Sequence, residues 1–316
     1  MLKKNQLILV VCIMSVIAHV FAACDIVGGT ALGGNPGNGS GSGTASDPYR
    51  IYTKAEFMAI DGGPGTNGKY YRLEADLVGA NTITEPLGNN SEKSFMGHFD
   101  GGGHSINLNI TGNYESAGLF ATVGPSLAVW GAGNGSVKNL KLTGTVNVSG
   151  SNVKYAGAAA GSAIDDVGYN VTFISGIASS VTVTISGPNA LYAGGIFGGG
   201  DAKEISHCAA LNPVVSGDNV NAQYFIYGTF RVGAGLMSGN PTYANNYANS
   251  AMTVNGAVPL DYKAHNDRNG ADVTLAATEA ENWWKTTAGW SSKFGTSDAA
   301  PWKWDSNSNR PVLWFE

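Results

Sequence analysis

Tyr192-Ala-Gly-Gly-Ile-Phe-Gly198 is one copy of a unit that recurs as Ala117-Gly-Leu-Phe120, Tyr155-Ala-Gly-Ala-Ala-Ala-Gly161 and, more faintly, Gly233-Ala-Gly-Leu-Met-Ser-Gly239. Aligned on Gly118, Ala158, Gly195 and Gly235, the copies stand 40, 37 and 40 residues apart. A period of this size indicates stacked coils, each burying its apolar face only against its neighbours. Short alternating runs separate the units. Ile106, Leu108 and Ile110 point one way and Asn107 and Asn109 the other, and the same two-residue step recurs in Val137-Lys-Asn-Leu-Lys-Leu142, Val146-Asn-Val148 and Val181-Thr-Val-Thr-Ile185. Such short strands cannot bury a face alone, whereas stacking aligns their aliphatic side chains in one continuous column. A barrel or sandwich would need hairpin turns between neighbouring strands, and Asn-Gly pairs are few.

Composition agrees. Glycine makes up 45 of 316 residues, a bias towards tight turns and thin strands over helices. It follows no three-residue step, which excludes collagen. The net charge of −5 and the lack of a basic patch exclude nucleic acid as a partner. No nucleophile elbow, P-loop, HExxH or CxxC appears, so no cofactor or metal is expected.

The beginning of the chain reads as a leader, residues 1–23. Lys3 and Lys4 precede an apolar run from Leu7 to Val20, followed by Ala22-Ala23-Cys24. At 14 residues the run falls short of the roughly 20 that span a bilayer. Phe21-Ala-Ala-Cys24 resembles the bacterial lipobox, with Phe where Leu is usual, and this makes Cys24 the lipidation site and the membrane the partner it reaches. Ordinary cleavage beside Ala22 or Ala23 is the alternative and would leave Cys24 free. With Cys12 in the leader and Cys24 lipidated, Cys208 is the leftover thiol, read as a small buried hydrophobe rather than half of a disulfide. Residues 24–46 are a Gly/Ser-rich tether.

The folded domain is expected over 47–316. Thr53 with Glu56 three places on predicts a capped helical turn near its start. The repeats run over about 95–255, residues 240–277 read as a variable insertion, and 278–316 form a closing cap. There Thr278-Glu-Ala-Glu281 predicts a second capping box, and six of the seven tryptophans follow residue 282, enough aromatic surface to cover the last coil.

Several of these stretches together resemble one family. Phe95-x-Gly-x-Phe-Asp-Gly-x-Gly-His104 with Ile106 resembles the first coil of bacterial exported proteins that carry GLUG motifs. Gly118-Leu-Phe120 and Gly194-Gly-Ile-Phe-Gly198 are similar to the motif itself, and Gly289-Trp290, Trp302 and Pro311-Val-Leu313 to the end of such chains. Ala121 and the run Ala158 to Ala160 depart from the pattern. The resemblance implies an all-β, right-handed parallel β-helix (solenoid) with a short C-terminal helix and an aromatic cap, on a surface lipoprotein. The motif is structural and brings no catalytic residue with it.

β-Helices also carry polysaccharide lyases and glycosidases, whose chemistry needs converging carboxylates or bases. Asp165 and Asp166 are adjacent, which on a strand sends them to opposite faces, so a turn explains them better. His98, Asp100 and His104 have metal-compatible spacing, but a Phe-Asp-Gly turn accounts for Asp100. Asp201, Glu204 and His207 follow Gly198-Gly-Gly200 and read as a solvated loop after a glycine turn. Thr182 and Thr184 face outward on a single strand. The tryptophans suit a structural cap better than sugar stacking. The expected function is a non-catalytic, lipid-anchored cell-envelope protein for surface adhesion, contacting a glycan or an extracellular protein of the matrix. The alternatives are an exported polysaccharide-degrading enzyme and a purely structural envelope protein. Function is expected on the interrupting loops 121–136, 162–172 and 240–277.

Overall fold

The computed structural model describes residues 41–88, 93–125, 135–163, 172–217, 228–233, 241–297, 300, 302–307 and 310–313. The leader, Cys24, the tether up to residue 40, Asp165, Asp166 and the unit after Gly233 lie outside the described residues.

The chain forms a parallel β-helix. Three coils carry strands on every side of the column. The first comprises His98–Asp100, Ser105–Gly112, Ser116–Ala117 and Phe120–Val123. The second comprises the long strand Ser136–Ser149, which turns a corner, then Tyr155–Ala156 and Ala160–Ala163. The third comprises Phe173–Ser179, Thr182–Ser186, Tyr192–Gly194 and Phe197–Gly200. Register is continuous from coil to coil. Phe99, Val137, Ile174, Ile205 and Tyr243 form one inward row. Ile110, Val146, Val183, Val215 and Val254 form another. Apart from the half-covered Val254, these side chains are buried, each stabilising the column by about 1.5–3 kcal/mol relative to exposure.

The recurring glycines belong to the tightest side. A Cβ on Gly118 would lie 2.5 Å from the carbonyl oxygen of Gly157, and one on Gly195 2.2 Å from that of Arg231, both closer than real carbon atoms approach. Glycine is therefore needed for backbone approach between coils. Gly198-Gly-Gly200 lies within the strand Phe197–Gly200. This corrects the expected turn: a Cβ at Gly198 would meet Gly161 O at 2.2 Å.

A second corner is built differently. Asn139, Gly176, His207 and Asn245 occupy equivalent places in four successive coils, with φ of 55°, 64°, 52° and 54°. This left-handed conformation favours glycine, and asparagine and histidine are among the few other residues that adopt it. Side chains lock the column: Asn139 Nδ2 donates to Asp100 Oδ1 at 3.0 Å, and Asn245 Nδ2 lies 3.2 Å from His207 Nε2.

Two sequence expectations change. The fourth repeat is not centred on Gly235. Phe197 pairs with Gly233, and Ile196 N–H donates to Val232 O, so Arg231 stands where Gly195 stands one coil earlier. Residues 240–277 are not an insertion, because Thr242–Ala244, Tyr247–Asn249, Thr253–Val254 and Ala271–Val273 continue the parallel ladder.

The helix Lys54–Met58 covers the first coils. Its capping box is complete: Glu56 N–H donates to Thr53 Oγ1 at 3.2 Å and Thr53 N–H to Glu56 Oε2 at 3.1 Å. This orients Phe57 into the column, where it is fully buried, 5.6 Å between ring centroids from both Phe99 and Phe120.

At the other end the predicted box at Thr278 does not form. Thr278 Oγ1 donates to Leu275 O, and Thr274 caps the 3-10 turn Leu275–Glu279 one turn earlier. A short π-helix, Trp283–Thr287, follows. The aromatic cap is present, and it lies along the flank of the column. Trp284, Trp290 and Trp302 are buried against Ala178, Ala209, Leu211 and Tyr247, which belong to successive coils. Trp290 Nε1 donates to His207 O at 3.0 Å, and Tyr247 donates its hydroxyl to Thr287 O at 2.5 Å.

Candidate functional site

A parallel sheet displays equivalent residues of successive coils side by side. On the outer wall, Tyr70, His98 and Ser136 form one such row, and Arg72, Asp100 and Lys138 the next. Together with Ala45, Ser46, Pro48, Tyr71 and Asn139 they line a cleft of about 480 Å³, within the range of small-ligand sites. One lining residue comes from far along the chain. The turn Ser291–Lys293, fixed by Trp290, brings Lys293 over the wall.

The cleft is lined by an aromatic pair and by cations, of which Arg72 is largely buried with Nε 3.5 Å from Glu74 Oε1. Tyr70 stacks on His98 with ring centroids 4.4 Å apart and planes 28° apart. Arg72, Lys138 and Lys293 oppose a single lining carboxylate, Asp100. Asp100 is engaged: Lys138 Nζ lies 3.3 Å away, and Asn139 Nδ2 and Gly102 N–H each donate to it at 3.0 Å. The last of these is the Phe-Asp-Gly turn expected for Asp100.

Burial, and then the charge of Lys138, push the His98 pKa below its ordinary value, so its imidazole is neutral at pH 7 and Nδ1 pairs with Ser136 Oγ at 2.9 Å. Burial and Lys138 also lower the Lys293 pKa, against a smaller opposing pull from Asp100. Two ammonium groups thus share the cleft, and an anion placed there would offset the repulsion that lowers the Lys293 pKa.

The sequence candidates fall as follows. His98 and Asp100 share a face, as spaced, but His104 turns away to Asp76, with Nδ1 3.1 Å from Oδ1. Burial opposes ionisation of Asp76, but the hydrogen bonds from His104 and Ser105 N–H and the charges of His104 and Lys141 outweigh it and hold its pKa low. Among the described residues no three His, Cys, Asp or Glu side chains are placed to hold a metal ion. Glu204 and His207 are not a solvated loop: Glu204 lies on the wall, and His207 is the left-handed corner beneath Trp290. Cys208 is buried, its thiol pushed up to about 12 by burial and donating to Ser206 O, as a structural cysteine should be. The outward threonines are no isolated strand: Thr182 lies beside Thr145, which in turn lies beside Asn109, and Thr184 lies beside Asn147 and Ser216. Sequence reasoning missed Tyr70, Lys138 and Lys293.

No protein-family model matches the sequence. Halomucin of Haloquadratum walsbyi is 32% identical over 139 residues, covering 34% of this chain and 2% of halomucin. The chain therefore spans a small fraction of that relative's length. A crystal structure from Bacteroides ovatus, provisionally named an immunoglobulin A1 protease, superposes with a TM-score of 0.50 at 18% identity, covering 87% of this chain and 95% of that one. At that identity the likeness is one of fold. Among the described residues, no helix is long and apolar enough to cross a membrane.

Proposed function

We propose that this chain is a non-catalytic β-helix of the cell envelope that holds an anionic glycan against its outer wall, as in surface adhesion or matrix contact. The carrying observation is the cleft in which Arg72, Lys138 and Lys293 surround the Tyr70–His98 stack. Ammonium and guanidinium groups meet carboxylates or sulfates, while a flat aromatic pair accepts the apolar face of a sugar ring.

Binding to acidic polysaccharides is expected to exceed binding to neutral ones and to fall with added salt. Lys138→Ala combined with Lys293→Ala should weaken it by about tenfold to a hundredfold. Because the His98 pKa lies below 6.5, affinity should stay level down to about that pH and rise on further acidification, as imidazolium adds a fourth cation. Equal binding of neutral and acidic polymers, or indifference to the double substitution, would remove the basis of this reading.

The anchor belongs to the same proposal. Cys24 is to be the lipidated residue, so labelled fatty acid should enter the wild-type protein, and Cys24→Ala should appear as an unlabelled, released form. Label retained in that variant would disprove the assignment.

A second reading, an exported polysaccharide-degrading enzyme, is favoured by one observation. The lowered pKa of Lys293 in a cleft is a property of general bases. Unsaturated or reducing ends released from a uronic-acid polymer by the purified protein, and lost in Lys293→Ala, would select it.

A further inference from the structure

The rows that line the cleft continue beyond it along the column. After Ser136 the first row runs on through Phe173 and Glu204, and after Lys138 the second runs on through Ser175 and Ser206. Neighbouring strands stand about 4.8 Å apart, so Phe173 lies about 10 Å from His98 and about 14 Å from Tyr70. The Phe173 side chain points outward and is 37% exposed, whereas the next residue, Ile174, is fully buried. A lone exposed aromatic is ordinary on a protein surface. This one stands in the same row as the Tyr70–His98 stack.

A ridge flanks both rows. A Cβ on Gly289 would lie 3.5 Å from His207 Cδ2 and 3.8 Å from Asn245 Nδ2, and Trp290 Nε1 donates to His207 O. Lys293 then lines the cleft beside Asn139, the corner two coils back from His207. The C-terminal segment therefore runs back along the corner, parallel to the column axis. Ser46 and Pro48 close the Tyr70 side of the cleft. The result is a groove, closed at one end, walled along one side and continuing towards Phe173.

We propose that this groove holds a linear acidic glycan along the column axis, with one ring on the Tyr70–His98 stack and a later ring on Phe173. The inference rests on the function proposed above and names its ligand as the interior of a chain rather than a single acidic sugar. Each ring of an extended chain advances by about one strand spacing, so rings on His98 and Phe173 are two units apart, with Ser136 under the ring between them. Charge sets the limit. Lys138 and Lys293 meet the acidic groups near the stack, while Glu204, next in the row after Phe173, repels a further acidic unit. The groove thus measures length and stops at Phe173.

The test is calorimetric titration of the full chain with two length series, oligogalacturonates and heparin oligosaccharides, each from its shortest member to the octasaccharide. In at least one series, affinity per sugar unit should rise until the chain reaches from the stack to Phe173 and then level off. Phe173→Ala changes an outward side chain and leaves the core intact. It should weaken the longer chains by about fivefold to tenfold and leave the shortest member unchanged. Glu204→Gln should move the levelling-off to longer chains. Lys138→Ala with Lys293→Ala should weaken every length. Affinity per unit that is independent of length, or a Phe173→Ala effect that is absent or equal at all lengths, would overturn the inference and leave acidic-glycan binding standing. No binding by any member of either series would overturn both.

Discussion

Arg231→Ala is expected to unravel the last coil, with a loss of about 3–5 kcal/mol. Arg231 is fully buried, and its guanidinium fastens the final turns of the column. Nε donates to Asn269 O at 2.9 Å, Nη2 to Gly270 O at 2.8 Å, and Nη1 to Asn249 O at 3.3 Å and to Asp272 Oδ1 at 2.7 Å. Its own backbone N–H donates to Asn269 Oδ1 at 3.0 Å. Truncation takes the guanidinium donor from the carbonyls of Asn269 and Gly270, leaves Asn249 O with Met252 N–H, and leaves a carboxylate with Lys263 as its remaining ion-pair partner. Because coils hold only their neighbours, the damage should be local. Amide exchange should rise over residues 246–273 while the coils spanning 98–200 stay protected. Protection unchanged over 246–273 would contradict the role assigned to this side chain. Acid should reach the same fastening. Burial raises the Asp272 pKa, but the hydrogen bonds and charges of Lys263 and Arg231 outweigh it and lower the value below 3.8. The stability it contributes is therefore complete above about pH 3.8 and is lost as the pH falls through the lowered value.

Phe57→Ala should cost about 3–5 kcal/mol at the opposite end. The ring is fully buried and packs edge-on against both Phe99 and Phe120. Removing it leaves a cavity over an apolar stack that would otherwise face water. A terminal coil without its cover is also a template for association. Urea denaturation should show a lower midpoint, and light scattering a tendency to self-associate. Phe57→Leu should recover most of the stability. A midpoint within a few tenths of a molar of wild type would show that the helix does not close the column.

Much of the column was legible because its determinants are local. The alternation of Ile106, Leu108 and Ile110 states which face is buried, and Thr53 with Glu56 states where a helix begins. Shared conformation without shared residue type was harder to see. Asn139, Gly176, His207 and Asn245 adopt one backbone geometry with three different side chains, so no letter repeats. The same difficulty displaced the fourth unit, where Arg231 holds the place of a glycine and a later Gly-Leu pair looked like the better match. The cleft was illegible for another reason. Tyr70, His98 and Lys138 become neighbours only through coil register, and Lys293 arrives from a segment with no periodicity. An isolated lysine in a tail carries no sign of where it docks.

That docking has a consequence for how the molecule is assembled. Coils can be added one after another as the chain is made, each needing only the one before it. The tryptophan segment cannot settle until Lys141, Ala178, Ala209 and Tyr247 already stand side by side, because its binding surface does not exist earlier. Its docking therefore follows the stacking of the coils it spans. A shortened column would leave the tail unseated and open to proteolysis, so only a finished array of coils carries Lys293 to the wall.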